Sequence, residues 1–178
     1  MEKTYKESIN MWAVGTDAGH ILHRKGSEEY PEVRHTYVTD PDEYEEVSAD
    51  MPRVVEARKA KTAEIDAYDT SEAVNSFTLD SQTMWLAKAD RVGLSNSIAI
   101  EEAAGRTVTA LWSGGTEYHI PIVAARRMLA ALELYALDCF NVTARHKAAV
   151  ASLDTVEAVE TYDHTAGYPA RPEFSTKA

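Results

Sequence analysis

The chain has little of what would mark a disulfide-stabilised, membrane-spanning or nucleic-acid-binding protein. It contains 1 cysteine, Cys139, in 178 residues, so no disulfide framework can form within one chain. The longest strongly apolar stretch, residues 122–142, is broken by charges that a bilayer would not accept, at Arg126, Arg127, Glu133 and Asp138. With 18 basic and 29 acidic residues, the net charge of −11 argues against a nucleic-acid partner, because a phosphate backbone is bound by clustered Lys and Arg. The one basic cluster, residues 58–61, is interpreted as a solvated helix face.

A catalytic signature is also absent from the sequence. There is no Gly-x-Ser-x-Gly elbow, and the Ser-Gly-Gly-Thr segment at 113–116 lacks the Gly-Lys-Ser or Gly-Lys-Thr of a phosphate loop, so it is interpreted as a hairpin turn. Asp163 and His164 could join Cys139 or Ser152 in a nucleophilic set, but nothing in the sequence orients them. We therefore predict no catalytic residue, no cofactor and no enzymatic activity.

Two groups of side chains could in principle hold a metal ion. His20 and His23, together with His35, could supply imidazole ligands, but the first two are spaced to lie on opposite faces of a strand. The acidic run at 40–46 lacks the glycine and the alternating ligands of a calcium loop. Surface histidines and a solvated acidic segment are the simpler interpretations, so no metal site is predicted.

Residues 1–50 are predicted to form an extended N-terminal arm that contains one hairpin. The runs at 11–14 and 20–23 flank a turn with glycine at both ends, which is typical of a hairpin. The acidic segment 26–50 cannot form a core alone, and ordering a residue costs about 1–2 kcal/mol of backbone entropy. We therefore expect neighbouring subunits to hold the arm through six anchors: Trp12, Ile21, Leu22, Tyr30, Tyr37 and Tyr44.

The rest of the chain predicts an α+β protein. A connecting helix over 51–71 precedes a module over 72–168, in which two small antiparallel hairpins pack on a long central helix spanning roughly 121–151, and a tail follows at 169–178. Gly105 is expected to end the helix that follows the first hairpin. Trp85 and Trp112 are interpreted as core anchors of the hairpins, with a sugar-stacking platform as the alternative.

The long helix is apolar almost all round between residues 128 and 142. A helix without a polar face is either the centre of a domain or half of an interface. Because a module of this size offers limited cover, self-association and docking to a partner protein both stay open. The predicted interface residues are Met128, Leu129, Leu132, Leu134, Tyr135 and Leu137.

Several short motifs, each present once, lie between residues 54 and 169. They are Tyr68-Asp69-Thr70-Ser71, Val74-Asn75-Ser76-Phe77-Thr78-Leu79, Met84-Trp85-Leu86-Ala87-Lys88 with Arg91, Leu132-Glu133-Leu134-Tyr135-Ala136, Asn141-Val142-Thr143 with His146, and Tyr162-Asp163 with Gly167-Tyr168-Pro169. Together they resemble a domain of uncharacterised function found in phage and prophage proteins, in the form common in Bacteroides-type phages. Members of that family are encoded among tail, tail-fibre and fibre-assembly genes.

The resemblance implies a context, and no functional residue can be carried over from it. The context is a non-enzymatic structural component of the phage virion, in the tail, baseplate or fibre region, synthesised in the bacterial cytoplasm. Its implied partners are further copies of itself and other phage structural proteins, with residues 1–50 attaching the module to the particle. A tail-fibre assembly chaperone that is not retained is the alternative, and a small glycan or cell-wall hydrolase is a third.

Overall fold

The computed structural model describes residues 1–176 and has the α+β architecture that the sequence predicts. The elements, in chain order, are β1 (Glu2–Lys6), β2 (Met11–Gly15), β3 (His20–Arg24), β4 (His35–Val38), β5 (Tyr44–Ser48), α1 (Met51–Asp69), β6 (Phe77–Leu79), β7 (Gln82–Met84), α2 (Lys88–Ala103), β8 (Val108–Ser113), β9 (Thr116–Pro121), α3 (Ile122–Ala151), α4 (Val156–Glu160) and β10 (Glu173–Phe174). A single 3-10 turn, Pro41–Glu43, precedes β5.

The chain divides into two compact units. Unit 1 combines residues 1–63 with 149–162, and unit 2 combines 64–148 with the segment that begins at Asp163. This division differs from the predicted one at residues 50 and 71, because α1 contributes its first part to unit 1 and its last turns to unit 2. No described helix in residues 1–176 is long and apolar enough to cross a membrane.

The predicted hairpin of residues 11–23 is wrong. β2 lies between β1 and β4 in an antiparallel sheet, whereas β3 pairs with β5 in a separate antiparallel sheet. Val14 of β2 and Leu22 of β3 are both buried in one cluster with Val38. The two strands meet through side chains in this shared core, and their backbones pair with other strands, β2 with β1 and β4, and β3 with β5.

Residues 1–50 are therefore not an extended arm, because they carry five strands and a small core of their own. Of the predicted anchors, Ile21 and Leu22 are each 1% exposed within the chain itself and are not available to neighbouring subunits. Trp12 and Tyr44 pack at the edge of the same core. Tyr30 stacks on the ring of His23, with ring centroids 4.1 Å apart, and Tyr37 alone among the anchors is mostly exposed.

Two side chains of the basic cluster at 58–61 are structural rather than solvated. Arg58 donates from Nε and Nη2 to the carbonyl of Leu153, at 3.0 and 2.8 Å. Lys61 is buried and donates from Nζ to the carbonyl of Glu160 at 3.1 Å. These cations satisfy carbonyls at the ends of helical segments, where no intrahelical donor is left.

Unit 2 contains both predicted hairpins and the long helix. β6 pairs with β7 and β8 with β9, each pair antiparallel, and α3 follows β9 directly. α2 ends as predicted at Gly105, whose φ is +80°. Its N–H donates to the carbonyl of Glu102, and that of Arg106 donates to Glu101, both at 2.9 Å, which is the pairing of a Schellman motif.

The core of unit 2 lies where the inner faces of the hairpins meet α2 and α3. Its buried members are Phe77, Leu79, Met84, Leu86, Ile98, Leu111, Tyr118, Ile120, Ile122, Ala125, Met128, Leu129 and Leu132. β10 adds a parallel strand beside β6, and Phe174 packs edge-on against Phe77. The segment predicted as a tail thus contributes a strand to this unit.

We expect Leu132→Ala to lower the free energy of unfolding by about 2–5 kcal/mol, because Leu132 is 0% exposed and its truncation leaves a cavity among closely packed neighbours. Leu134→Ala, two residues along the same helix, removes the same atoms from a 64% exposed side chain and is expected to change stability by about 0.5 kcal/mol or less. Urea denaturation of both variants measures the difference. Equal losses would contradict the placement of α3.

Candidate interaction surface

α3 carries a buried apolar stripe on one side and an exposed stripe of apolar, small and polar residues on the opposite side. Residues three and four positions apart share a face of a helix that has 3.6 residues per turn. The buried stripe consists of Ala125, Met128, Leu132, Tyr135, Cys139 and Val142. The opposite stripe, called the outer seam here, consists of Val123, Arg127, Ala130, Leu134, Leu137, Asn141, Ala144 and Ala148, all of which are exposed.

The outer seam presents large apolar side chains to solvent. Val123, Leu134 and Leu137 are 59%, 64% and 54% exposed, and Phe140 beside them is 67% exposed. Transfer of apolar surface out of water is worth about 25 cal/mol per Å². Exposed large apolar side chains that lie together on one side of a helix make this surface a candidate for protein–protein contact.

The structure corrects four of the six predicted interface residues. Met128, Leu129 and Leu132 belong to the core of unit 2, and Tyr135 is buried with Val74 and Cys139. These four face the side of α3 that the hairpins and α2 cover, so they are not available to a partner. Of the predicted set, Leu134 and Leu137 remain on the exposed side.

A groove of about 480 Å³ runs between α2 and α3 beside the outer seam. Its lining combines apolar and polar side chains of both helices: Arg91, Val92, Ser95, Asn96, Ala99, Arg126, Leu129, Ala130 and Glu133. Val92 on α2 is half exposed, and Ala130 belongs to both the groove and the seam. The groove therefore extends the apolar surface laterally from α3 onto α2.

Arg91 fixes the first turn of α2 against α3. Its Nη1 donates to the carbonyl of Leu86 at 2.6 Å, and its Nε donates to Glu133 Oε1 at 2.8 Å. The guanidinium also lies over the ring of Trp85, 5.3 Å from the centroid. Arg91 is nearly fully buried, so these contacts replace the hydration that the cation loses. Arg91 is one of the motif residues in the sequence. Its partners lie on other elements, so no local sequence pattern indicates this role.

A polar cluster joins the end of α1 to α3 and to the loop before β10. Thr143 Oγ1 donates to Asp69 Oδ1 at 2.6 Å and lies 2.8 Å from the hydroxyl of Tyr168. Since the threonine hydroxyl has one proton, Tyr168 is the donor of the second bond. His146 stacks on Tyr168 and donates from Nε2 to the carbonyl of Ala166 at 2.9 Å. Residues of three of the sequence motifs thus meet here in mutually satisfied hydrogen bonds.

The side chains considered as a nucleophilic set have structural partners instead. Cys139 is buried, and this burial raises the pKa of its thiol, which disfavours the reactive thiolate. Ser152 donates to the carbonyl of Ala149 at 2.7 Å. Asp163 accepts from the N–H and the hydroxyl of Thr165, and the hydroxyl contact lowers the pKa of its carboxyl. His164 lies edge-on to Tyr68.

The residues weighed as metal ligands or ring platforms are placed differently from expectation. His23 is buried rather than on the surface, and its ring nitrogens each lie 3.0 Å from an acceptor, Glu45 Oε1 and the carbonyl of Ser27. Trp112, expected as a core anchor, is 65% exposed on the outer face of β8. Across residues 1–176, no group of three or more His, Cys, Asp or Glu side chains is placed to hold a metal ion.

Comparison of the chain with protein-family models, with curated proteins and with solved structures finds no match.

We expect the ion pair of Arg91 and Glu133 to make stability depend on pH. The hydrogen bond from Arg91 lowers the pKa of Glu133 in the folded state. The pair therefore stabilises the fold fully above the unfolded pKa of about 4.3, and this contribution is lost as pH falls through the lower folded value. Because Glu133 is nearly half exposed, the contribution is about 1 kcal/mol or less.

Urea denaturation between about pH 3 and pH 7 measures this contribution. The unfolding free energy of Glu133→Gln is expected to fall less steeply on acidification than that of the unmodified protein. Asp138→Asn, which removes another exposed carboxylate of the same helix, serves as the control. If the unfolding free energy of Glu133→Gln fell as steeply on acidification as that of the unmodified protein, the ion pair would make no pH-dependent contribution to stability.

Proposed function

We propose that this protein is a non-enzymatic structural component of a bacteriophage particle, in the tail, baseplate or fibre region, that acts through oligomeric protein–protein contacts. The observation that carries the proposal is the outer seam of α3. Its leucines at 134 and 137 are more than half exposed on a helix whose other side forms the core of unit 2. Exposed apolar side chains of this size promote aggregation of a free monomer, whereas in an assembly a partner covers them.

Rigidity of the seam supports a binding role. α3 is held by core packing along its buried stripe, by Arg91 through Glu133, and by the hydrogen bond from the hydroxyl of Tyr135 to the carbonyl of Val74 at 2.7 Å. A surface that is already ordered loses little conformational freedom when it binds. The seam and the adjoining groove therefore offer a preformed site for another protein.

The particle context comes from the resemblance of residues 54–169 to the phage-associated domain. Three of the motifs that carry this resemblance meet in the cluster of Asp69, Thr143 and Tyr168. The acidic chain, with a net charge of −11, agrees with protein partners rather than the phosphate backbone of packaged DNA.

Mass spectrometry of purified particles, from the phage or prophage that encodes the protein, tests the particle role. We expect the protein in a fixed stoichiometry with tail, baseplate or fibre proteins. Its absence from mature particles, together with co-purification with a fibre protein from infected cells, would favour a departing assembly chaperone instead. Absence from both preparations would overturn the proposal.

We expect Leu137→Glu to lower the assembly state and to reduce incorporation into particles, because it places a charge at the centre of the outer seam. Ile100→Glu is the matched control, since Ile100 is 71% exposed on α2 and lies outside the seam. Analytical ultracentrifugation gives the assembly state, and circular dichroism checks that both variants fold. An unmodified protein that stays monomeric at micromolar concentration would contradict the role of the seam.

A further inference from the structure

We propose that His23 is a pH-sensitive switch in unit 1. It holds the loop 25–33 while its ring carries two protons, and it releases the loop when the ring loses one of them. The inference goes beyond the proposed function, because it concerns unit 1 rather than the outer seam of unit 2. It is carried by the acceptors that face the two ring nitrogens and by the burial of the ring.

Both nitrogens of the His23 ring face groups that only accept hydrogen bonds. Nδ1 lies 3.0 Å from Glu45 Oε1 on β5, and Nε2 lies 3.0 Å from the carbonyl oxygen of Ser27 in the loop. A neutral imidazole has one N–H and can donate to one of these oxygens, whereas the imidazolium donates to both. Turning the ring over would place carbon atoms against both oxygens. The arrangement is therefore that of the doubly protonated ring.

The surroundings of the ring leave little room for water to replace either partner. The side chain of His23 is 5% exposed. One face of the ring is covered by Tyr30, whose ring is parallel to within 8° and centred 4.1 Å away. A cation over the face of an aromatic ring is attracted by its π electrons, so this contact also favours the charged form. Because Tyr30 belongs to the same loop as Ser27, the His23 ring contacts the loop at two points.

Glu45 is the counter-ion of the charged ring. Three cations of the neighbouring elements have partners of their own: Arg24 with Glu43, Lys25 with the carbonyl of Asp42, and Lys59 of α1 with Glu56. The other titratable histidine of β3, His20, lies 3.5 Å from Glu46. The loop itself carries further carboxylates at Glu28, Glu29 and Glu32. The charge of the His23 ring is therefore balanced across the strand pair β3–β5, by a residue directly opposite it.

The two bonds of the ring differ in strength, which determines where the loss of a proton acts. The bond from Nδ1 goes to a carboxylate, and hydrogen bonds to ionised groups are about twice as strong as those between neutral groups. The neutral ring therefore keeps the proton on Nδ1 and loses the one on Nε2. The lone pair of Nε2 then faces the carbonyl oxygen of Ser27, and the two repel each other. The loop is held below the pH at which the ring loses this proton, and it is released above that pH.

The loop is attached to unit 1 at its ends and contacts His23 in its middle. Residues 25–33 contain no helix or strand. The N–H of Lys25 donates to the carbonyl of Glu43 at 2.9 Å, and the N–H of Leu22 donates to the carbonyl of Val33 at 2.7 Å. Neither of these two bonds involves the His23 ring. Release at Ser27 therefore frees the middle of the loop and leaves the strands of unit 1 in place.

Hydrogen–deuterium exchange of the full chain, followed by mass spectrometry between about pH 5.5 and pH 8, measures this release. The measured rates are divided by the intrinsic exchange rate at each pH. Protection of residues 25–33 is expected to fall roughly three- to tenfold as the pH rises, which is the effect of losing one hydrogen bond. Protection of the hairpin β8–β9 in unit 2 is the internal reference and is expected to stay constant.

Glu45→Gln separates the switch from a general effect of pH. The amide of glutamine can donate to Nδ1, so a neutral ring then donates from Nε2 to Ser27 and both contacts are kept. The loop of this variant is expected to stay protected over the whole pH range. His20→Gln, which removes the other histidine of β3, is the matched control and is expected to keep the pH dependence of the loop. Circular dichroism checks that both variants fold.

Loss of protection in the unmodified protein and in His20→Gln, but not in Glu45→Gln, supports the proposal. Constant protection in the unmodified protein overturns it, and so does a loss that disappears in His20→Gln or persists undiminished in Glu45→Gln. Nitrogen-15 shifts of the His23 ring in the unmodified protein give a second measurement that needs no variant. A ring that carries one proton at a pH where the loop is protected overturns the proposal.

Discussion

The burial of one side of α3 is the constraint on which the rest of unit 2 depends. The two hairpins, α2, the end of α1 and the loop at Tyr168 cover one side of this 30-residue helix and leave the opposite side exposed. The inner faces of β6–β7 and β8–β9, the stripe of α2 around Ile98, and Phe174 from β10 all pack towards the same core. Cover is complete at Leu132, and the opposite stripe is left to solvent. The outer seam therefore lies on the side of α3 that these elements do not cover.

Buried polar contacts decide how the elements fit against that helix. Apolar packing alone is non-directional and tolerates rotation of a helix within its site. Arg91 joins α2, the carbonyl of Leu86 and Glu133 in one set of bonds, which sets the position of α2 relative to α3. Thr143 does the same for the end of α1 and the loop at Tyr168. A slip of one residue would leave each of these buried groups without a partner, at a cost of about 1–3 kcal/mol.

Local sequence signals predict the elements of unit 2. They do not predict which strands of unit 1 pair with each other over long separations in sequence. The hairpin of β8 and β9 is indicated by its β-branched residues and its Gly114-Gly115 turn, and the end of α2 by Gly105. The pairs β2–β4 and β3–β5 join strands that other elements separate in sequence. Gly15 illustrates this, since a Cβ there would lie 2.5 Å from Nδ1 of His35, a close approach with no local signature.

The sequence predicts only part of the candidate surface, because here too the outcome depends on contacts between distant elements. Both stripes of α3 follow the same alternation of three and four, so periodicity does not tell which one the chain covers by itself. The sequence predicts Met128, Leu129, Leu132, Leu134, Tyr135 and Leu137 as interface residues, of which Leu134 and Leu137 are exposed and the other four lie in the interior. The basic cluster was misjudged in a similar way, because the carbonyls that bind Arg58 and Lys61 belong to residues more than 90 positions later.

Several residues of the sequence motifs have structural roles inside unit 2, whereas the outer seam faces solvent. Trp85, Arg91, Asp69, Thr143 and Tyr168 all make internal contacts that position α3. These side chains serve the packing of this helix and say little about a partner. The core does not constrain the sizes and charges of the seam residues, which face solvent. Because the core fixes the backbone beneath them, those side chains meet a partner with little loss of conformational freedom. A helix anchored on one side and exposed on the other can thus bind through a modest area without first having to fold.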